Sequence, residues 1–181
     1  MKLKHPVLLA GLLVALGSSS AFANDRETLS VGAQAPDSAQ VEAFLFPEAE
    51  CENAQYQCLA VRPSAERSIG MELRFRTGSS ELTPEAKAQL VGLGKALEAR
   101  KGKLKAGEIV IEGHADARGS AELNKKLSEE RARAVVKHLV ATHSVDGSAL
   151  KPVGVGKDRL KDASRPDAEI NRRVELVRTA I

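Results

Sequence analysis

The densest run of chemistry-bearing residues in the chain is Gly113-His114-Ala115-Asp116-Ala117-Arg118-Gly119-Ser120. It joins a short apolar segment to a helical pattern, and loops in that position commonly carry ligand sites in α/β folds. Asp116 and Arg131 are the pair to single out. Arg131 lies four residues before Val135, at the edge of an apolar helix stripe, so its stem can pack while its guanidinium reaches toward the loop. A carboxylate and a guanidinium facing one cleft form either a plain ion pair or a receptor for a zwitterion, and residue types alone leave both open.

Catalytic alternatives find little support. His114 and Asp116, with His138 and His143 further along, can be assembled into a metal site on paper, but no ligand spacing of the H-E-x-x-H kind exists. No metal and no cofactor is therefore expected. A serine hydrolase would need a G-x-S-x-G elbow. Val153-Gly154-Val155-Gly156-Lys157-Asp158 fails as a phosphate loop, since Lys151 holds the first glycine position and Asp158 replaces the Ser or Thr that would bind magnesium. Nothing marks a carboxylate pair for glycan cleavage. The expectation is a binding protein, not an enzyme.

The elements that would position these residues are readable from Met71 onward. Met71, Leu73 and Phe75 alternate with charged residues as in a half-buried strand. Thr83 is a good N-cap, Pro84 suits the first helical position, and Ala86, Leu90, Leu93 and Leu97 line one helix face. The basic tract Arg100–Lys105 ends that helix as a solvated turn. Glu108–Glu112 reads as a central strand closed by Gly113. The next helix has its stripe at Ala132, Val135, Val136, Leu139 and Val140, out of phase with Leu123 and Leu127, which predicts a restart at Ser128. Strands over Leu150–Val155 and Arg173–Arg178 complete a βαβαββ order. That order makes an α/β (α+β) sandwich with helices packed on one side of a mixed sheet. There is no internal repeat and no heptad pattern.

Upstream, Lys2 and Lys4 precede the apolar run Val7–Leu16 and an Ala21-Phe22-Ala23 cleavage signature. This predicts a secretory signal peptide over 1–23, cut after Ala23. The run is too short to span a bilayer, and no later stretch is apolar enough, so no transmembrane segment is expected in the mature chain. Cys51 and Cys58 then sit in an oxidising compartment and are expected to form a disulfide, the spacing matching neither a redox motif nor a zinc site. Residues 24–69 form a separate N-terminal segment: a flexible lead-in over Asn24–Gln40, short apolar runs at Val41–Phe46 and Cys58–Val61 that suggest a hairpin, and a linker over Arg62–Gly70. The folded domain is expected over 70–181. Of 181 residues, 43% are hydrophobic and 28% charged, which suits a packed core. The formal charge of +3 falls by two with the signal's lysines, so basicity is no argument for nucleic acid. Aromatics number four Phe, one Tyr and no Trp, and none follows Phe75, so stacking platforms for bases or sugar rings are excluded there.

Three separated motifs carry a family resemblance. Gly113-His114-Ala115-Asp116-x-x-Gly119, then Asn124-x-x-Leu127-Ser128-x-x-Arg131-Ala132-x-x-Val135, and Asn171-Arg172-Arg173-Val174-Glu175 resemble the signature of the OmpA-like C-terminal domain. Phe75-Arg76-Thr77-Gly78-Ser79-Ser80-Glu81-Leu82-Thr83-Pro84 is similar to the opening strand and loop of its MotB-type members. The likeness runs from about Met71 to Arg178. Ala115 stands where the family usually has Thr, and Leu123 where an aromatic often precedes the Asn. The resemblance implies non-covalent binding of peptidoglycan through the diaminopimelate of its stem peptide. In the family's pattern Asp116 would take the ligand's ammonium and Arg131 its carboxylate. Ala115, Asn124 and Arg172 would neighbour them, Ala115 through backbone groups and Asn124 by shaping the loop. The chain would then be a periplasmic, cell-wall-associated protein of the envelope, reaching the outer membrane through an unidentified envelope protein. The alternative is an interaction module acting through the disulfide segment, with a wall pocket that does not function.

Overall fold

The computed structural model describes residues 26–47, 66–73, 75–76 and 78–179. Its elements are β1 (Glu27–Gly32), α1 (Ser38–Leu45), β2 (Arg67–Met71), α2 (Pro84–Ala99), β3 (Ile109–His114), α3 (Ala121–His143), β4 (Leu150–Gly156) and β5 (Val174–Arg178), with short 3-10 turns at Gly147–Ala149 and Glu169–Asn171. The strands form one mixed sheet in the order β1-β2-β5-β3-β4. β1 runs parallel to β2, and β3 parallel to β4; β5 lies antiparallel between β2 and β3.

Strand alternation divides the sheet's faces. Ile109 and Ile111 of β3, Leu176 of β5, and Ile69 and Met71 of β2 join Val41 and Leu45 of α1, Leu90, Leu93 and Leu97 of α2, and Val135 and Leu139 of α3 in one core. The helices therefore share one side of the sheet, as the βαβαββ sandwich requires. The expected start of α2 holds in detail: Thr83 Oγ1 accepts the Ala86 N–H at 3.2 Å and Pro84 is the first helical residue.

The N-terminal segment departs from expectation. In place of a flexible lead-in over Asn24–Gln40 stand β1 and the first turn of α1. The reason is non-local: the partner of β1 is β2, with Glu27 opposite Arg67 and Leu29 opposite Ile69. Val41–Phe46 belongs to a helix, not a hairpin, with Val41 and Leu45 one turn apart on its buried side. An apolar run of six residues fits either period. The supposed linker Arg62–Gly70 contains most of β2, so the boundary drawn at residue 70 falls inside a strand. Beyond Met71 the regular strand stops, and the Phe75 backbone pairs with Leu82 in an isolated bridge. Residues 1–25 and 48–65 are outside the described residues, and with them the expected signal peptide, Cys51, Cys58 and the run to Val61.

α3 is one continuous helix, not two. Ser120 caps it by accepting from Leu123 N–H, and its buried stripe is Asn124, Ser128, Arg131, Ala132, Val135 and Leu139. The N-terminal half of that stripe is polar, which is why hydrophobic periodicity misses it. Leu123 points away and is 68% exposed. The polar half packs on glycines. A Cβ at Gly113 would meet the Ser128 carbonyl, and one at Gly154 the Lys125 carbonyl. Gly113 accordingly lies within β3, which runs on to His114, and does not end it. Ser128 Oγ donates to the Lys125 carbonyl and accepts the Gly156 N–H at 2.9 Å, pinning α3 to β4.

Among the described residues no helix is long and apolar enough to cross a membrane.

Candidate functional site

Asp116 emerges directly from the end of β3. Its loop is shaped from behind by Asn124 on the first turn of α3, whose side-chain amide donates to the Arg118 carbonyl at 2.6 Å and the Asp116 carbonyl at 3.3 Å. Ala115 is buried and gives its N–H to the Gly156 carbonyl, locking the strand end to β4. Asp116 is 7% exposed, with both carboxylate oxygens engaged. Oδ1 accepts the Arg118 N–H at 3.1 Å, and Oδ2 accepts from Arg172 Nη1 at 2.8 Å. Arg172 precedes β5 and also faces Glu169 at 3.4 Å.

Arg131 projects from the middle of α3 and is 6% exposed. Its Nε donates to the Ser79 carbonyl at 3.1 Å, and its guanidinium carbon sits 4.9 Å from the centre of the Phe75 ring. Burial, and then the neighbouring Arg172 guanidinium, pull Arg131 below the ordinary arginine value, while Asp116 acts in the opposite sense. An arginine so placed stays charged, and desolvation strengthens its attraction for an anion.

A cleft of about 170 Å³ opens beside these groups, lined by Glu72, Leu73, Phe75, Arg131, Glu169 and Arg172. Of the sequence-predicted site residues, Arg131 and Arg172 line it. Asp116 joins it through Arg172, while Ala115 and Asn124 support the loop. Phe75, Glu72 and Glu169 were not foreseen as its walls. The alternation of Met71, Leu73 and Phe75 marks Glu72 and Phe75 as parts of a strand pattern, which gives no hint that Phe75 lies against a helix 56 residues away, and no pattern marks Glu169.

His114 does not join this cleft. It points to the other face of the sheet with Glu112 and Glu175, one ligand atom of each lying within 4.8 Å of the others. Those carboxylates are already taken: Arg26 and Arg159 reach Glu112 at 3.0 and 2.9 Å, and Arg173 reaches Glu175 at 2.6 Å. With three guanidiniums around them, a divalent cation would enter a field that is already neutralised, so the cluster reads as an ion-pair network. His138 and His143 lie together at the far end of α3, ring centres 6.4 Å apart, remote in sequence from His114.

The OmpA family model matches residues 74–173, more than half of the chain. The chain belongs to the OmpA family. Its relatives in that family include the peptidoglycan-associated lipoprotein of Pseudomonas aeruginosa, 38% identical over 106 residues that cover 56% of this chain and 58% of the relative. Outer membrane porin F of the same species is 30% identical over 109 residues, 59% of this chain and 30% of the porin. The chain thus spans little more than half of the lipoprotein and under a third of the porin. Among solved structures, the peptidoglycan-associated lipoprotein of Burkholderia pseudomallei aligns with a TM-score of 0.50 and 25% identity, covering 66% of this chain and 98% of that one. The OmpA-like domain of FopA1 from Francisella tularensis aligns with a TM-score of 0.51 at 18% identity, over 61% and 70% of the two chains, a likeness of fold.

Proposed function

We propose that this OmpA-family chain binds peptidoglycan non-covalently, recognising the diaminopimelate of the stem peptide, and acts by attachment without catalysis. The observation that carries the reading is the buried Arg131 lining a small cleft beside the Asp116–Arg172 pair. Diaminopimelate offers an ammonium and a carboxylate on one distal carbon, and opposed charges at a partly desolvated site read both together. Arg131 receives the carboxylate. Asp116 supplies the negative side, since a carboxylate has lone pairs beyond those used by Arg118 N–H and Arg172. The names of its lipoprotein relatives support a wall ligand. The same reading makes the chain an envelope protein, exported with cleavage after Ala23 and carrying a Cys51–Cys58 disulfide in an oxidising periplasm.

The test is sedimentation of the protein with purified diaminopimelate-type peptidoglycan, comparing wild type with Asp116→Ala and Arg131→Ala, each checked for folding by circular dichroism. Losing one charge-assisted contact should weaken binding by about tenfold or more in either variant. Wild type remaining in the supernatant, or both variants sedimenting like wild type, overturns the proposal.

A further inference from the structure

Arg172 and Glu169 line the cleft but Asp116 does not; it lies behind the Arg172 guanidinium. That guanidinium spans two acids. Its Nη1 donates to Asp116 Oδ2 at 2.8 Å, and its Nη2 lies 3.4 Å from Glu169 Oε1. The acids differ in setting: Asp116 is buried, whereas the Glu169 side chain is 68% exposed, with the half-exposed Arg172 side chain between them. The backbone around Arg172 is fixed. Its N–H donates to the Glu169 carbonyl at 2.8 Å, the buried Asn171 amide donates to the Asp162, Arg165 and Pro166 carbonyls, and the Arg173 carbonyl accepts the His114 N–H. Movement of Arg172 is therefore movement of its side chain alone.

An ammonium entering from the cleft meets the Arg172 guanidinium before it reaches Asp116, and like charges repel. Asp116 in turn cannot lose Arg172 without a replacement, because a buried carboxylate stripped of its partner is costly. Exchange meets both conditions. Resting on the peptidoglycan reading above, we propose that Arg172 is a positioning residue that holds Asp116 for the ligand: its guanidinium gives up that carboxylate to the ligand's ammonium and turns onto Glu169. Asp116 keeps a cationic partner throughout, and Arg172 leaves one carboxylate for another it already faces. The exposed Glu169 offsets only part of what Arg172 gives up. An amine alone thus replaces one charge-assisted contact with another and gains little; the net attraction comes from the carboxylate that Arg131 takes at the same time. A carboxylate alone leaves the Asp116–Arg172 pair closed and uses half of the site. Burial, and then the charge of Arg172, hold Arg131 below the ordinary arginine value, so the exchange takes place within electrostatic reach of the group that holds the carboxylate.

The experiment is calorimetric titration with a muropeptide whose tripeptide stem ends in meso-diaminopimelate, and with the same muropeptide acetylated on the distal amine. Wild type is compared with Arg172→Met, Glu169→Gln and the double variant, each checked for folding by circular dichroism. Arg172→Met has no guanidinium to displace and should bind the free-amine muropeptide about three- to tenfold more tightly than wild type. Acetylation should cost Arg172→Met more than wild type, because only wild type recovers the Asp116–Arg172 pair when the amine is blocked. Glu169→Gln removes the receiving carboxylate and should bind about threefold more weakly, an effect that vanishes in the Arg172→Met background because it acts through Arg172. Arg172→Met binding no more tightly than wild type, or Glu169→Gln costing the same in both backgrounds, overturns the exchange. Should Arg172→Met not fold, a crystal structure of wild type with the free-amine muropeptide decides: Arg172 on Glu169 and off Asp116 is expected, and Arg172 still on Asp116 overturns the proposal. If the exchange alone fails, wild type still binds and Asp116→Ala and Arg131→Ala are still impaired. Wild type failing to bind the free-amine muropeptide overturns the peptidoglycan reading and the exchange together.

Discussion

Glu112 and Glu175 face each other directly across β3 and β5, a like-charge pair that would be unfavourable without compensation. Arg26, Arg159 and Arg173 compensate it, and Glu66 completes the balance through Arg26. His114 sits against this network, fully buried, its Nε2 3.8 Å from Glu112 and 3.9 Å from Glu175, with neither ring nitrogen hydrogen-bonded among the described residues. Burial, and then the Arg173 guanidinium, push the imidazole down to about 3, Glu112 opposing. In the unfolded chain the same imidazole titrates near 6.5. Between those values the unfolded state binds a proton that the folded state refuses. Stability should therefore be unaffected by His114 above about pH 6.5 and fall as pH drops from there toward 3, by at most about 1.4 kcal/mol per pH unit. Urea midpoints of wild type and His114→Gln measured from pH 7.5 to 4.5 should converge toward low pH, the variant losing less. Parallel pH profiles would show that folding leaves the proton affinity of His114 unchanged. No motif signals this arrangement: His114 reads as part of the Asp116 loop, and only the continuation of β3 to His114 places it on the face of Glu112, two residues before it.

The route from sequence to site runs through the contact of α3 with β3 and β4. Thr83, Pro84 and the α2 stripe are legible because caps and apolar spacing are local. The first half of α3 is not, because its buried residues are Asn124 and Ser128 and their partners are glycine backbone on strands. Asp116 and Arg131 were both marked by type and position, whereas the Arg172 link to Asp116 spans 56 residues and depends on the end of β5. Helix seating on glycine has a measurable consequence. Gly113→Ala puts a methyl group into the Ser128 carbonyl, which lies in the backbone and cannot rotate away. Such overpacking costs about 1–3 kcal/mol or more. Ser128 is one turn before Arg131, so lifting α3 also shifts the guanidinium from Phe75 and Ser79. Gly113→Ala should lower both the urea midpoint and wall binding. Gly147→Ala, where the nearest atom is the Val140 side chain at 3.5 Å, should change either by little. Equal stability of the two variants would mean that the helix does not rest on this strand.

At the scale of the molecule, β1, α1 and β2 make the N-terminal segment part of the sheet and core, which changes how its role can be tested. A truncation ending at Gly70 would remove β1, α1 and most of β2, and so unfold what it aims to isolate. The seam is Phe46, buried at the end of α1 between two guanidiniums, Arg100 at 4.9 Å and Arg178 at 4.7 Å from its ring centre. Arg178 and Arg67 also donate to the Leu45 and Phe44 carbonyls, satisfying the C-terminal end of α1, and Arg100 pairs with Glu42 at 2.9 Å. Two separate elements of the domain, the end of α2 and β5, thus converge on one aromatic. If the segment is integral, Phe46→Ala should cost about 3–5 kcal/mol, as for a buried phenylalanine in any core, and unfolding should remain a single transition. A segment merely laid on the surface would give a small loss, or an early separate transition with the main one unmoved. Denaturant unfolding followed by circular dichroism and by a fluorophore attached at exposed Ala39 distinguishes them: coincident curves shifted together in Phe46→Ala are the expected result. The cleft adds a reason to care, because Glu72 is tied to the end of β1 through Gly32. Loosening β1 should therefore also loosen the cleft wall at Glu72, and Phe46→Ala measured at a temperature where it is still folded should bind diaminopimelate-type peptidoglycan more weakly than wild type.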